Sequence, residues 1–343
     1  MSIDVAIIGS GVAALKVYST LLHNRNLNPL IIDFNPLGGI LASANFVYKY
    51  PRIPIFIDSN IINLFTTCNP LCYHLEVCIL KEGDIIDKIK GFAPFDVQRL
   101  WIYELAEKKT ACFLPHLSKC ILALLNVGNE TIRRVRDSIR KVDITNKVIA
   151  TLQGLTFRYK SLIYTWPLDL LMKIISNIND PSISALINDV INKAKYVSIY
   201  TRSYVIYEKS SKYDEPKIEL YLHGTKASRV HTIIKIPIAN SITLLYALTS
   251  YSEYYPLLPG IGDKIHSELK RHKVLTPSMQ VLDYSDTNIV YGFLNTLPEE
   301  ALEKVKEKLQ GYNIMLFGRI AEWREYDVPS LLFKRDLHIK IHK

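Results

Sequence analysis

Ile3-Asp4-Val5-Ala6-Ile7-Ile8-Gly9-Ser10-Gly11-Val12-Ala13-Ala14 stands at the start of the chain and decides its fold. The apolar run Ile3 to Ile8 reads as a buried parallel strand, and G-x-G-x-x-A follows at once. Ala14, Val17, Leu21 and Leu22 then fall at helical spacing, so the turn opens directly into a helix. Each small residue has its own reason. Gly9 permits the tight turn, Gly11 removes a side chain where a pyrophosphate approaches, and Ala14 allows close packing of helix on strand. A pyrophosphate there would lie on the helix N-terminus, where unpaired amides and the dipole favour anions. A second apolar run, Leu30 to Ile32, ends in Asp33, 22 residues after Gly11, where a ribose-binding carboxylate is expected. The ordered set of strand, glycine turn, helix, strand and acid predicts a dinucleotide-binding fold. Glycine is scarce in the chain as a whole, at 14 of 343 residues, yet four of these, Gly9, Gly11, Gly38 and Gly39, lie within the first 39.

Composition excludes several classes. With 48% apolar and 22% charged residues the chain is neither disordered nor a coiled coil, and its length suits two or three domains. Five cysteines, Cys68, Cys72, Cys78, Cys112 and Cys120, are an odd number without paired C-x-x-C knuckles. They read as unpaired thiols in a reducing cytoplasm, with no metal site. The start lacks a basic and apolar leader, so no signal peptide is expected. The most apolar stretch, Ile233 to Tyr251, is broken by Lys235, Pro237 and Asn240 and cannot span a membrane. The net charge of +9 is compatible with nucleic acid, anionic lipid or phosphorylated ligands. The densest basic segment, Arg133, Arg134, Arg136, Arg140 and Lys141, has no interleaved stacking aromatics and reads as a solvated helix face, which disfavours nucleic acid. The basic end, Lys334, Arg335, Lys340 and Lys343, alternates with apolar residues as an edge strand or surface tail does.

After Asp33 comes Asn35-Pro36-Leu37-Gly38-Gly39. Here the sequence resembles the flavoproteins grouped with UDP-galactopyranose mutase, protoporphyrinogen oxidase and the amine oxidases. The resemblance implies FAD rather than NAD, with Gly38 and Gly39 lining the FAD phosphates. The family usually has Glu where Asp33 stands, and a basic residue where this chain has Phe34, Asn35 and Pro36. Near the other end a helix from Pro298 to Leu309 leads into a strand, Asn313 to Phe317, that stops at Gly318. Gly318-Arg319-Ile320-Ala321-Glu322-Trp323-Arg324-Glu325-Tyr326-Asp327 resembles the closing segment of the mutase and oxidase families. That implies close backbone approach at Gly318, a ribityl-phosphate contact by Arg319, and Trp323, Tyr326 and Asp327 near the flavin. Between these, Val142 to Ala150 and Phe157 to Ile163 read as strands around a Gly154 turn. Tyr164-Thr165-Trp166-Pro167 resembles the family's Thr-x-Pro step, which places Thr165 and Trp166 beside the cofactor, with core packing of Trp166 the alternative.

The expected fold class is α/β: a discontinuous Rossmann-like FAD-binding domain with a helical insertion and an antiparallel-sheet substrate domain. The boundaries read as 1–85, 142–178 and 288–343 for the first, 86–141 for the second and 179–287 for the third. Within the helical insertion, Val97, Leu100, Trp101, Leu105, Leu117, Ile121 and Leu124 carry the spacing. In the sheet domain Arg229, His231 and Lys235 alternate with Val230, Ile234 and Ile236, and Tyr196, Tyr200, Arg202 and Tyr204 share a face. The pattern predicts a half-buried sheet with one polar, aromatic and cationic face and a turn at Gly224. The stretch from Leu220 to Val230 resembles the mutase segment in which an Arg contacts substrate phosphate, so Arg229 is the catalytic-site candidate, with a solvated sheet-face Arg as the alternative. A mutase-like histidine loop after the glycine pair is missing, Phe46 to Ile57 standing there instead, as is an Arg-Phe-Pro step before the sheet.

Three functions fit. The leading one is an FAD-dependent oxidoreductase whose flavin accepts a hydride from a small organic substrate, in a dry pocket with Tyr200, Tyr204 and Trp323. No histidine is nominated as base. The second is a UDP-sugar mutase-type isomerase using reduced flavin, and the third a non-catalytic dinucleotide-binding scaffold. Any of them is compatible with an oligomer.

Overall fold

The computed structural model describes residues 2–25, 27, 29–41, 50–128, 132–178, 180–208 and 215–333. Two compact units divide the chain: Met1–Ala42, Ile121–Lys195 and Leu294–Lys343 in one, Ser43–Cys120 and Tyr196–Phe293 in the other. The basic end from Lys334 and the segment from Phe46 to Lys49 lie outside the described residues.

Parallel strands form the centre of the first unit. Strand Ser2–Ile8 pairs with Leu30–Ile32 on one side and with Thr156–Tyr164 on the other. Leu30–Ile32 continues to Arg134–Val135, and Thr156–Tyr164 to Ile314–Leu316. Residues 5–8 are fully buried, which is why this segment reads as continuously apolar rather than alternating. The helix Val12–Arg25 follows directly and buries Ala14, Val17 and Leu21 as the spacing requires, while Leu22 is half-buried. An antiparallel extension, Ile139–Asp143 with Val148–Thr151 and the latter with Thr156–Tyr164, turns at Gly154 in a positive-φ conformation.

The second unit is a mainly antiparallel sheet. Its order is Gln280–Leu294, Tyr196–Tyr207, Ile242–Tyr251, Thr232–Ala239, Lys217–His223, Leu71–Lys81, Thr110–Phe113 and Phe56–Ile57. Lys217–His223 and Leu71–Lys81 run parallel. Both faces are covered at the centre. One carries Leu220, Ile234, Leu244 and Tyr246. The other lies under the helix Ile261–Arg271, which presents Ile261, Ile265 and Leu269 to Tyr200, Tyr204 and Leu245.

Several sequence expectations are corrected. The boundaries differ because Leu71–Lys81 and most of Gln280–Leu294 bond into the second sheet: residues 43–85 and 288–293 fall in the second unit, and 121–141 and 179–195 in the first. The helical insertion 86–141 is not one body. It holds the helices Trp101–Ala106 and Leu117–Leu124, but also strand Thr110–Phe113. The basic segment is strand rather than helix: Ile31 N donates to Arg133 O at 3.0 Å and Asp33 N to Val135 O at 3.2 Å. Its charges gave no sign of this, because sheet pairing across about 100 residues outweighs local propensity.

The cysteines are also corrected. Cys68 pairs with Cys120 and Cys72 with Cys112, and Cys78 is free. Cys72 and Cys112 are direct cross-strand partners between Leu71–Lys81 and Thr110–Phe113, a register no spacing in the sequence announces. With four of five thiols bonded, the cysteines cease to argue for a reducing compartment. Among the described residues no helix is long and apolar enough to cross a membrane.

Thiol titration in denaturant should therefore find one reactive cysteine per chain without reductant and five after reduction. Replacing Cys68 and Cys120 by Ser, which opens a loop with a sequence separation of 52 residues, should lower stability by about 2–4 kcal/mol in a denaturant melt.

Candidate functional site

Four parallel strands of the first unit end on the same edge, and each terminus carries a residue singled out in the sequence: Gly9, Asp33, Thr165 and Gly318. The strand order reverses around Ser2–Ile8, which is where an open α/β sheet leaves a crevice. Missing side chains let the loops converge. A Cβ on Gly9, whose φ is +115°, would stand 2.0 Å from Thr165 Oγ1. One on Gly39 would stand 3.1 Å from Gly11 Cα, and one on Gly318 2.6 Å from Ala13 Cβ. Gly11 and Gly38 bridge, with Gly38 N donating to Ser10 O at 2.8 Å. Gly11 differs from the rest: a Cβ there meets nothing within 4 Å. The glycine needed for packing is Gly9, and the one that leaves open space at the head of Val12–Arg25 is Gly11.

Thr165 is buried and points inward. Its Oγ1 donates to Ile8 O at 2.8 Å, locking the strand end instead of reaching outward. Asp33 is likewise 3% exposed. Its Oδ2 accepts from Ser10 Oγ at 2.8 Å, and its Oδ1 accepts from Asn35 N at 3.0 Å and Asn35 Nδ2 at 3.2 Å. Arg134 Nη2 donates to the carbonyl oxygens of Asp33 and Asn35. Sequence spacing thus finds Asp33 at the right strand end, but with its carboxylate turned into the 33–36 loop. Ser10, the unremarked x of G-x-G, is its partner. The hydroxyl 23 residues before an acid was the available signal.

The closing segment is anchored the same way. Gly318 N donates to the buried Glu322 carboxylate at 2.9 Å. Arg319 grips Glu325 through Nε at 2.6 Å and Nη2 at 2.9 Å. Trp323 is fully buried at φ +52°, with Nε1 donating to Asn295 Oδ1 at 3.1 Å, so its ring belongs to the core of this unit. Tyr326 and Asp327 are half-buried, and Asp327 Oδ1 caps the following helix by accepting from Ser330 N at 2.7 Å.

In the second unit the expected open polar face is replaced by packing. Tyr200, Arg202 and Tyr204 are buried beneath Ile261–Arg271, and a Cβ on Gly262 would stand 2.4 Å from Arg202 Nη1. They cannot line an open pocket. Tyr200 and Tyr204 share a face as the alternation implies, but nothing in it disclosed a helix covering that face, and Val230 packs there too, away from Ile234 and Ile236. Arg229 stacks on Tyr255, 4.0 Å from guanidinium to ring centroid, and its backbone N donates to Glu268. His231 is a core residue, bonded through Nδ1 to Thr232 Oγ1 at 2.7 Å and through Nε2 to Ser250 Oγ at 3.0 Å. Burial pushes its pKa well below the ordinary value. Lys88, which no pattern flagged, is also buried and donates to His223 O at 2.9 Å and Val230 O at 2.8 Å. Burial lowers its pKa to about 7. Burial and then the neighbouring Lys88 lower that of His223 to about 4.

No protein family and no curated protein matches the chain. Solved structures share its fold. A reduced UDP-galactopyranose mutase superposes with a TM-score of 0.72 at 13% identity, over 94% of this chain and 90% of the other. A CLA-producing fatty acid isomerase from P. acnes does so with a TM-score of 0.64 at 12% identity, over 95% of each chain. At these identities the likeness is one of fold.

Two outcomes follow from this geometry. Gly9→Ala combines a forbidding φ with a clash and should cost about 2–4 kcal/mol in a thermal or denaturant melt, whereas Gly11→Ala should stay within about 0.5 kcal/mol. Stability should also fall on acidification from pH 6.5 to about 4, because the unfolded chain there takes up protons that native His223 refuses. Lys88 acts in the same direction between pH 10.5 and about 7. Melts across pH should show His223→Gln flattening the acid limb and Lys88→Met the alkaline one.

Proposed function

We propose that the chain is an FAD-binding flavoprotein enzyme acting on a small organic substrate. The observation that carries this is the approach of Gly38 and Gly39 to Gly11, and of Gly318 to Ala13, at the head of Val12–Arg25, where a Cβ on Gly11 would meet nothing within 4 Å. The open cradle fits a pyrophosphate: bulk is missing at one point, and the first amides of a helix lack intrahelical partners. Gly38 and Gly39 bring backbone beside Gly11, and Gly318 lets the closing segment approach Ala13. The chemistry supplied by bound FAD is hydride and electron transfer, and the leading reaction is hydride acceptance from the substrate. The protein's part is to bind and orient, and no side chain is assigned as a general base.

A second reading, isomerisation without net redox change, is favoured by the names of the two solved structures, a mutase and an isomerase. Arg229 is the cation it would use for a substrate phosphate. Its guanidinium already stands over the Tyr255 ring, 4.0 Å from the centroid, an arrangement that holds a cation in place.

Purified protein, or protein reconstituted with FAD, should absorb near roughly 370 and 450 nm. Gly11→Asp should abolish those bands while leaving the melt unchanged, because it adds bulk and negative charge only to the open cradle. A colourless wild-type chain after reconstitution removes the proposal. Interconversion of a UDP-sugar by the reduced protein, lost in Arg229→Ala, would select the isomerase reading, and substrate-dependent bleaching of the bands the oxidoreductase.

A further inference from the structure

The groups around the end of the second strand are disposed unlike those of a ribose-reading site. An acid at that place normally accepts from the ribose hydroxyls. Here both oxygens of Asp33 are engaged by Ser10 and Asn35, and the residue is buried. Arg134 holds the carbonyls of residues 33 and 35, and Arg136 Nε donates to that of Phe34 at 3.4 Å. The polar atoms of the loop are consumed internally, and what it presents outward is an aromatic ring: Phe34 is 53% exposed.

That ring is not isolated. Trp166 stands edge-on to it, with centroids 6.5 Å apart and planes inclined at 75°. Trp166 Cδ1 is also 3.2 Å from where a Cβ of Gly9 would be, so the indole runs along the glycine turn. The two rings make an L-shaped aromatic corner next to the cradle at Gly11. A planar base can lie flat on one wall with its edge against the other, the offset and edge-to-face geometries that aromatic quadrupoles favour. Such stacking is indifferent to sugar hydroxyls.

We propose that Phe34 and Trp166 form the adenine subsite of the dinucleotide, so that the base rather than the ribose hydroxyls is recognised at this end. This rests on the dinucleotide reading above and adds the group it grips. Asp33 then acts as a positioning residue, holding the loop so that Phe34 faces outward. Adenine-bearing ligands bind through the corner, and 2′-deoxyadenosine diphosphate binds as ADP does.

The test uses ADP and 2′-deoxy-ADP on the full chain, by calorimetry and by tryptophan fluorescence. Wild-type protein should bind the two within about twofold of each other, with Trp166 emission quenched. Phe34→Ala, at an exposed position, should weaken ADP about 5- to 100-fold with an unchanged melt. Trp166→Phe, which keeps an aromatic wall, should retain most of the affinity and lose the quench. ADP affinity unchanged in Phe34→Ala and in Trp166→Ala, or 2′-deoxy-ADP bound more than tenfold more weakly than ADP, overturns the proposal even where bound FAD is undiminished. A chain that binds ADP through the corner but takes up no FAD supports this subsite and overturns the flavin reading.

Discussion

Backbone has to meet backbone at residues 9–11, and the rest of the first unit is arranged so that it can. Thr165 fits only because Gly9 has no side chain, the Gly11 backbone only because Gly39 has none, and Ala13 only because Gly318 has none. Adding a methyl group at these contacts brings atoms to between 2.0 and 3.1 Å, distances that close-packed interiors do not accommodate without moving chain. The carboxyl edge of the parallel sheet is therefore a rigid assembly of loops, and a rigid assembly is what a binding site for a large, charged, flexible carrier needs.

The polar side chains around that edge serve the loops more than they face solvent. Ser10 and Asn35 satisfy the Asp33 carboxylate, Arg134 Nη2 holds the carbonyls of Asp33 and Asn35, Glu322 takes the Gly318 amide, and Arg319 is paired with Glu325. Buried polar groups left without partners are costly, so each such pairing stabilises the backbone it ties down. On the proposed dinucleotide reading, backbone and aromatic rings are then what that edge offers a ligand.

The second unit obtains its order differently. Its sheet is buried on both faces at the centre, it is cross-linked at Cys68–Cys120 and Cys72–Cys112, and it keeps Lys88, His223 and His231 inside with their hydrogen bonds made. Desolvation lowers the pKa of both histidines, that of His223 to about 4, so their burial opposes protonation.

The opening dozen residues were enough to place a strand, a glycine turn and a helix, because a strand buried on both faces and a turn free of side chains are local requirements written in consecutive positions. Asp33 and Gly318 could be set at strand ends for the same reason, whereas Gly38, Gly39 and Thr165 were singled out by the resemblance to a known family. Sequence could not tell which way Asp33 and Thr165 point, that Arg134 lies in a strand, that Tyr200 and Tyr204 lie beneath a helix, or which cysteines meet. Those outcomes depend on partners tens to hundreds of residues away. A side chain's orientation is decided by the hydrogen bonds and packing available where distant segments come together, and only the assembled chain brings them there.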